Sequence, residues 1–310
     1  ELMDLGVRRI SENEPNSDSI KNYKMKTKLN SGFKVGLGAS FDRDDWEVTG
    51  EYTWLRPSSR TNFHVDLVQG NLGHGFFYNT WLIGTNRIRY DIAHPFDLYA
   101  QWKVFFDRAE LELARPFYSG TKFSLRPNLG LALLRLDQHF NYEIRPQDYP
   151  VAYNYLKAKS FSLGPKIGVD LNYMFGAGIS LIGKFDLGLM YAKNKVQASA
   201  YSQRTTFTHL GQDDVRYAAY RQPAIRDFED LKIGLAWGSY FAGSRANFLI
   251  SFLYELQRYS NVNYMKQYMS KLLVTIPDTF TSNEQTFYPT DTPAGAYFTQ
   301  GLSANLRFDF

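Results

Sequence analysis

His139 lies two residues beyond Asp137 and four beyond Arg135, so on an extended strand all three project to one side. A His–Asp pair of this kind could be half of a hydrolytic site, the carboxylate orienting an imidazole base. No serine or second acid stands where it would complete such a site, and no G-x-S-x-G turn occurs. His64, His74, His94 and His209 fall in polar segments expected to be loops, where solvation accounts for them. Gly36-Leu37-Gly38 opens like a dinucleotide fingerprint, but Phe41 stands where the third glycine belongs and no helix follows. Asp42, Asp44 and Asp45 could attract calcium, although turn formation explains them more simply. Metal-ligand spacings are missing, and so is cysteine, which excludes disulfides and thiolate chemistry. The chain is therefore expected to be non-enzymatic, with no cofactor and no metal.

The informative charges recur at every second position. Lys34, Gly36, Gly38 and Ser40 alternate with Phe33, Val35, Leu37, Ala39 and Phe41. Glu47 and Glu51 alternate with Trp46, Val48, Tyr52 and Trp54. Lys166 and Asp170 do so with Ile167, Val169 and Leu171, and Lys184 and Asp186 with Phe185 and Leu187. Lys232 falls between Leu231 and Ile233, and Glu255 between Tyr254 and Leu256. Arg307 falls between Leu306 and Phe308 in a final segment that ends on Phe310. Successive side chains of a strand point to opposite faces, so each segment predicts a strand with one apolar and one polar side. In 97–116 and 122–141 the apolar phase shifts partway, which predicts β-bulges near Phe106–Arg108 and Leu133–Leu134. The inward polar set then comprises Lys34, Glu47, Glu51, Lys103, Asp107, Arg126, Lys166, Asp170, Lys184, Asp186, Lys232, Glu255 and Arg307, with Asp309 beside them. The second bulge also turns Arg135, Asp137 and His139 inward.

Connections alternate in length. Short turns are expected at Asp42–Asp45, Tyr118–Thr121, Phe175–Gly178 and Ala242–Arg245, and long polar segments at 57–95, 142–157, 199–225 and 261–293. Short turns on one side and long loops on the other describe an outer-membrane barrel. Four hairpins and a last strand give about nine strands, and bacterial barrels have an even count. A tenth is expected before Asn30, with residues 1–9 as its outer end and part of it missing.

The 310 residues contain no run of about 18 apolar residues, so no transmembrane helix is available. The mean hydropathy of -0.38 does not exclude a spanning strand, in which only alternate residues need be apolar. Aromatic residues make up 16%, which suits girdles at two membrane boundaries. Basic and acidic residues, 35 and 31, are interspersed, so no basic stripe for nucleic acid is present.

The segments GFKVGLG (32–38), DDWEVTGEYTWL (44–55), LELARPF (111–117), SLRPNLGLALLRLDQHF (124–140) and GPKIGVDLNY (164–173) resemble the major outer membrane proteins of Legionella and their relatives in environmental chlamydiae. Order and spacing agree over most of 30–190, and the terminal aromatic agrees too. The resemblance implies surface-exposed, porin-like outer-membrane barrels and supplies no catalytic residues.

The expected architecture is all-β: one antiparallel up-and-down transmembrane barrel of about ten strands over 1–310, with short periplasmic turns and extracellular loops. The expected setting is a Gram-negative outer membrane, with lipid as the partner, and a homo-oligomer or surface ligands at the loops as further partners. Two functions remain open: porin-like passage of small polar solutes by a major envelope protein, or a closed barrel acting as adhesin or interaction scaffold. About ten strands lie near the filled limit of barrel size, so balanced inward charges are expected to pair. A pore survives if barrels assemble, if strands hide in the loops, or if the pairs rearrange.

Overall fold

Strand is the only regular secondary structure among the described residues, which in the computed structural model are 4–11, 14–25, 28–41, 45–65, 75–77, 96–146, 151–206, 209–241, 246–263 and 295–310. In chain order the strands are β1 (Asp4–Ser11), β2 (Glu14–Lys24), β3 (Gly32–Phe41), β4 (Trp46–Leu55), β5 (Ser58–Val65), β6 (Gly75–Phe77), β7 (Phe96–Ala114), β8 (Phe117–Ser119), β9 (Phe123–Pro146), β10 (Ala152–Gly176), β11 (Ile179–Thr206), β12 (His209–Phe241), β13 (Ala246–Asn263) and β14 (Gly295–Asp309). His74, His94, most of the expected turns at 42–45 and 242–245, and most of the expected loop 261–293 lie outside the described residues.

Eleven strands form one antiparallel sheet in the order β14-β13-β12-β11-β10-β9-β7-β4-β3, with β5 paired to β7 and β8 to β9. They fill nine lanes, because two prolines interrupt continuous strands. Leu55 faces Phe106 and Ser58 faces Lys103 in one unbroken register, so β4 and β5 share a lane. Pro57 between them has no N–H for the ladder, yet its carbonyl accepts from the Val104 amide at 2.9 Å. Pro116 separates β7 from β8 in the same way, and the Arg115 amide still donates to Pro127 at 3.3 Å. Residues 1–9, the expected place of a tenth barrel strand, instead contribute β1 to a separate sheet with β2 and β6.

The short turn at Phe175–Gly178 is present: Gly176, Ala177 and Gly178 take φ of 121°, 51° and 79°. This left-handed stretch is open to glycine and costly for most other residues. The loops are shorter than expected. Ladders run on to Ile144 opposite Ala152 and to Thr206 opposite His209, so much of 142–157 and 199–225 is strand. Part of 57–95 is also strand, as β5.

The two expected bulges are absent. Register is continuous from Phe96↔Pro146 to Ala114↔Asn128, and from Ala152↔Ile144 to Tyr173↔Phe123. What shifts is the chemistry of the faces. Toward the turn end, Leu111, Leu113, Leu129 and Leu131 are exposed, while Arg108, Glu110, Glu112 and Asn128 between them are buried. Toward the far end of the same strands, Val104, Phe106, Leu134, Leu136 and Phe140 are buried, and Arg135 is exposed. One face is thus polar in its turn half and apolar in its far half, and the other face is the reverse.

The sheet is rolled. β13 and β3 lie seven lanes apart, about 34 Å across a flat sheet, yet Lys34 on β3 bonds Glu255 on β13. The contacts that cross the roll define its inner face. No ladder joins the edge strands β3 and β14 among the described residues.

Candidate functional site

The inner face of the turn half carries one connected set of charges. Arg126 on β9 donates to Glu47 on β4 at 2.7 Å and to Asp170 on β10 at 2.5 Å. Lys184 on β11 lies 3.7 Å from Asp170 and donates to Glu112 on β7 at 2.5 Å. Lys166 on β10 bonds Glu112, Glu110 at 2.7 Å and Asp186 at 3.3 Å. Arg108 pairs with Glu110 and reaches Asp230 on β12 at 2.8 Å. Lys232 then lies 3.7 Å from Asp230 and 3.6 Å from Glu51, which returns the circuit to β4. Lys166 and Asp186 side chains have no exposed surface. Buried charges persist only when paired, and here the partners come from five strands besides β4.

Glu110, Glu112 and Asp186 could by their positions hold a metal ion, since their ligand oxygens lie within 4.8 Å of one another. The Lys166 ammonium bonds all three. It supplies the positive charge that a cation would bring.

An aromatic layer adjoins the network on the far side. Phe106 lies 5.7 Å from Tyr259 and 6.2 Å from Tyr297, and Phe228 lies 6.0 Å from Tyr259, centroid to centroid. Leu134, Leu136, Met190 and Val104 are buried around them. Arg108 ties the two zones together. Its guanidinium donates to the Tyr259 hydroxyl at 2.9 Å and sits 5.0 Å over the Phe228 ring. Beyond the aromatics, the buried Arg226 donates to Ser160, Ser162, Asn194 and the carbonyls of Ser260 and Asn261 at 3.0–3.4 Å.

Gly188 makes room for this layer. It lies opposite Phe228, and a Cβ there would overlap the ring. Gly188→Val should therefore displace Phe228 and cost about 1–3 kcal/mol. Gly183→Ala, whose Cβ would meet nothing closer than 3.8 Å, should change stability by less than about 0.5 kcal/mol. Denaturant unfolding midpoints of the two variants check this, and equal midpoints would refute the packing role of Gly188.

Ten of the thirteen expected inward residues, Lys34, Glu47, Glu51, Arg126, Lys166, Asp170, Lys184, Asp186, Lys232 and Glu255, take part in cross-strand pairing on the inner face. Lys103 and Asp107 do not. Without a bulge, parity puts them on the outer face, where Asp107 accepts from Arg56 at 2.6 Å and from Tyr52 at 2.7 Å. Arg307 pairs only with Asp309, at 2.6 Å, near the chain end. Arg108, Glu110, Glu112 and Asp230 complete the network without having been expected there. The signal was available for three of them: Glu110 and Glu112 alternate with Leu111 and Leu113, and Asp230 precedes Leu231.

Arg135, Asp137 and His139 are likewise on the outer face, contrary to the expected inward turn. Asp137 accepts from Arg135 at 2.9 and 3.2 Å. His139 packs on Phe105 at 5.2 Å, and no hydrogen bond joins it to Asp137. Burial first, then Lys157, hold the His139 imidazole below its ordinary pKa, with Asp137 pulling the other way.

A rolled antiparallel sheet that is apolar outside and ion-paired within, over the same stretch of strand, defines a β protein built for the outer membrane. Residues 5–289 match the family model described as Legionella pneumophila major outer membrane protein precursor, and the chain belongs to that family. No curated protein and no solved structure matches it.

Proposed function

We propose that this protein is a structural outer-membrane barrel of a Gram-negative envelope, closed to solutes by its own side chains. The observation that carries the reading is the double filling of the inner face. A buried charge circuit and an apolar layer lie in series along the same strands, and Tyr259 joins them. Each alone would narrow a passage. A solute crossing both would have to part buried ion pairs and then an aromatic cluster.

The membrane orientation follows from the outer face. On β10 its apolar stretch runs from Phe161 to Tyr173, about 40 Å along the strand, which a tilt of about 45° reduces to about 28 Å. A lipid-facing band is about 25 Å tall. Tyr191 and Phe161 mark its far boundary, and Tyr173, Phe175, Trp237 and Phe308 its turn boundary, all exposed, as expected for aromatic girdles. The short turns then lie in the periplasm, and the polar far half stands outside the cell. Strand closure, with the β3–β14 seam brought together or bridged by a further strand, belongs to this reading, because an open sheet edge in lipid is costly.

Single-channel recording in planar bilayers tests the proposal. The purified chain should show no steady unitary current, and F106A/Y259A should introduce one by removing the aromatic layer. Stable unitary currents from the native chain would overturn closure. They would favour the second reading, porin-like passage of small polar solutes. That reading draws on the family resemblance.

A further inference from the structure

Directly above the apolar band, the outer face of β7, β9, β10, β11 and β12 turns basic. Lys159, Lys195 and Arg221 lie opposite one another across three adjacent strands in a single row. In the next row toward the far end, Lys103 and Lys157 flank His139. Lys193 sits in the row nearest the band, next to Phe161. Lys159, Lys193, Lys195 and Arg221 are exposed. Like charges directly opposite in a sheet destabilise it, and here no acidic side chain among the described residues forms an ion pair with any of these six Lys and Arg residues. The carboxylate opposite Lys159, that of Asp137, is held by Arg135 at 2.9 Å. Glu143, farther out, is held by Arg145 at 2.5 Å.

One row of three adjacent cations, with two more lysines in the next row, calls for a polyvalent anion from outside the fold. Their height selects its source. The apolar neighbours Leu163, Tyr191 and Leu189 begin two to four residues away along the same strands and stand exposed on the same face. A ligand that touches both zones has phosphate at the level of the lysines and hydrocarbon immediately below.

We infer that the outer face around Lys157, Lys159, Lys193, Lys195 and Arg221 binds the phosphate headgroup of a phosphorylated lipid of the outer leaflet, its acyl chains lying along the apolar rows beneath. The inference rests on the membrane orientation proposed above. Lipid at this site neutralises the lysine rows and fixes the height at which the barrel rides in the leaflet. A basic surface near lipid attracts anionic headgroups by a few-fold per cation.

Native mass spectrometry of the full chain in neutral detergent, with phosphatidic acid or phosphatidylcholine added, tests it. Phosphatidic acid should be retained at least about tenfold more than phosphatidylcholine. K159E/K195E should abolish that preference, and K159R/K195R should keep it. Glycerol phosphate, the same headgroup without chains, should fail to displace the lipid at equal concentration. Equal retention of the two lipids, or an unchanged preference in K159E/K195E, would overturn the inference and leave the membrane orientation intact. Full displacement by glycerol phosphate would reassign the surface to a soluble polyanion and overturn the lipid assignment. Retention of neither lipid, together with failure to insert into vesicles of either, would overturn the orientation itself and the inference with it.

Discussion

Replacing Lys166 by methionine should destabilise the protein by about 3–5 kcal/mol, the cost of removing one partner from a buried ion cluster. The three carboxylates it serves, on Glu110, Glu112 and Asp186, would remain within 4.8 Å of one another. Lys184 compensates only in part. It reaches Glu112 at 2.5 Å and Asp186 at 3.6 Å, and no ion pair joins it to Glu110. Adding D186N to K166M should recover part of the loss, since an uncharged group of the same shape needs no counter-ion. The measurement is equilibrium unfolding from lipid vesicles. A loss below about 1 kcal/mol for K166M would mean that water reaches this cluster freely, and the closed reading of the inner face would fall with it.

The second large effect is expected on the opposite face. Ile167→Arg should cost about 2–4 kcal/mol, the figure for a cation facing lipid at mid-depth. Ile167 is 60% exposed and has Leu129 and Leu187 as its cross-strand neighbours, so an arginine there finds only hydrocarbon. Leu187→Arg should cost less. Its partner on β12 is Glu229, an outer-face carboxylate that Arg258 already approaches at 2.8 Å. An arginine at 187 can share that carboxylate. Equal losses at the two positions would refute the role given to Glu229. A negligible loss at Ile167 would refute lipid contact on this face.

Much of the fold was legible because the membrane stretch of each strand separates two unlike solvents, and period two survives in the residue types. The runs around Lys166, Lys184, Lys232 and Glu255 therefore gave both the strands and their inner sides. The far half was misread for a physical reason. There the interior is apolar and the exterior polar, so Tyr142, Ile144 and Leu156 inside, against Asn141, Glu143 and Lys157 outside, looked like loop composition. The change of sides along β7 and β9 looked like bulges, because an extra residue and an exchange of environments leave the same mark on one sequence. Only the partner strands distinguish them. Lys103 and Asp107 were misplaced by that ambiguity, and Arg135, Asp137 and His139 with them. The aromatic layer was not legible at all, since Phe106, Phe228, Tyr259 and Tyr297 come from four strands and meet only when the sheet curls.

The unbroken ladder through Leu133 and Leu134 also dictates how this gene can drift. A one-codon insertion at that point would rotate everything before or after it by half a pleat. Arg135 and Asp137 would be thrust among aromatics while Leu134 and Leu136 surfaced among lysines, two faults from a single event. Substitutions can be absorbed singly along these strands, but length cannot. Tolerated insertions and deletions in relatives should accumulate at 147–150 and 207–208 and avoid the intervals Phe96–Ala114 and Phe123–Pro146.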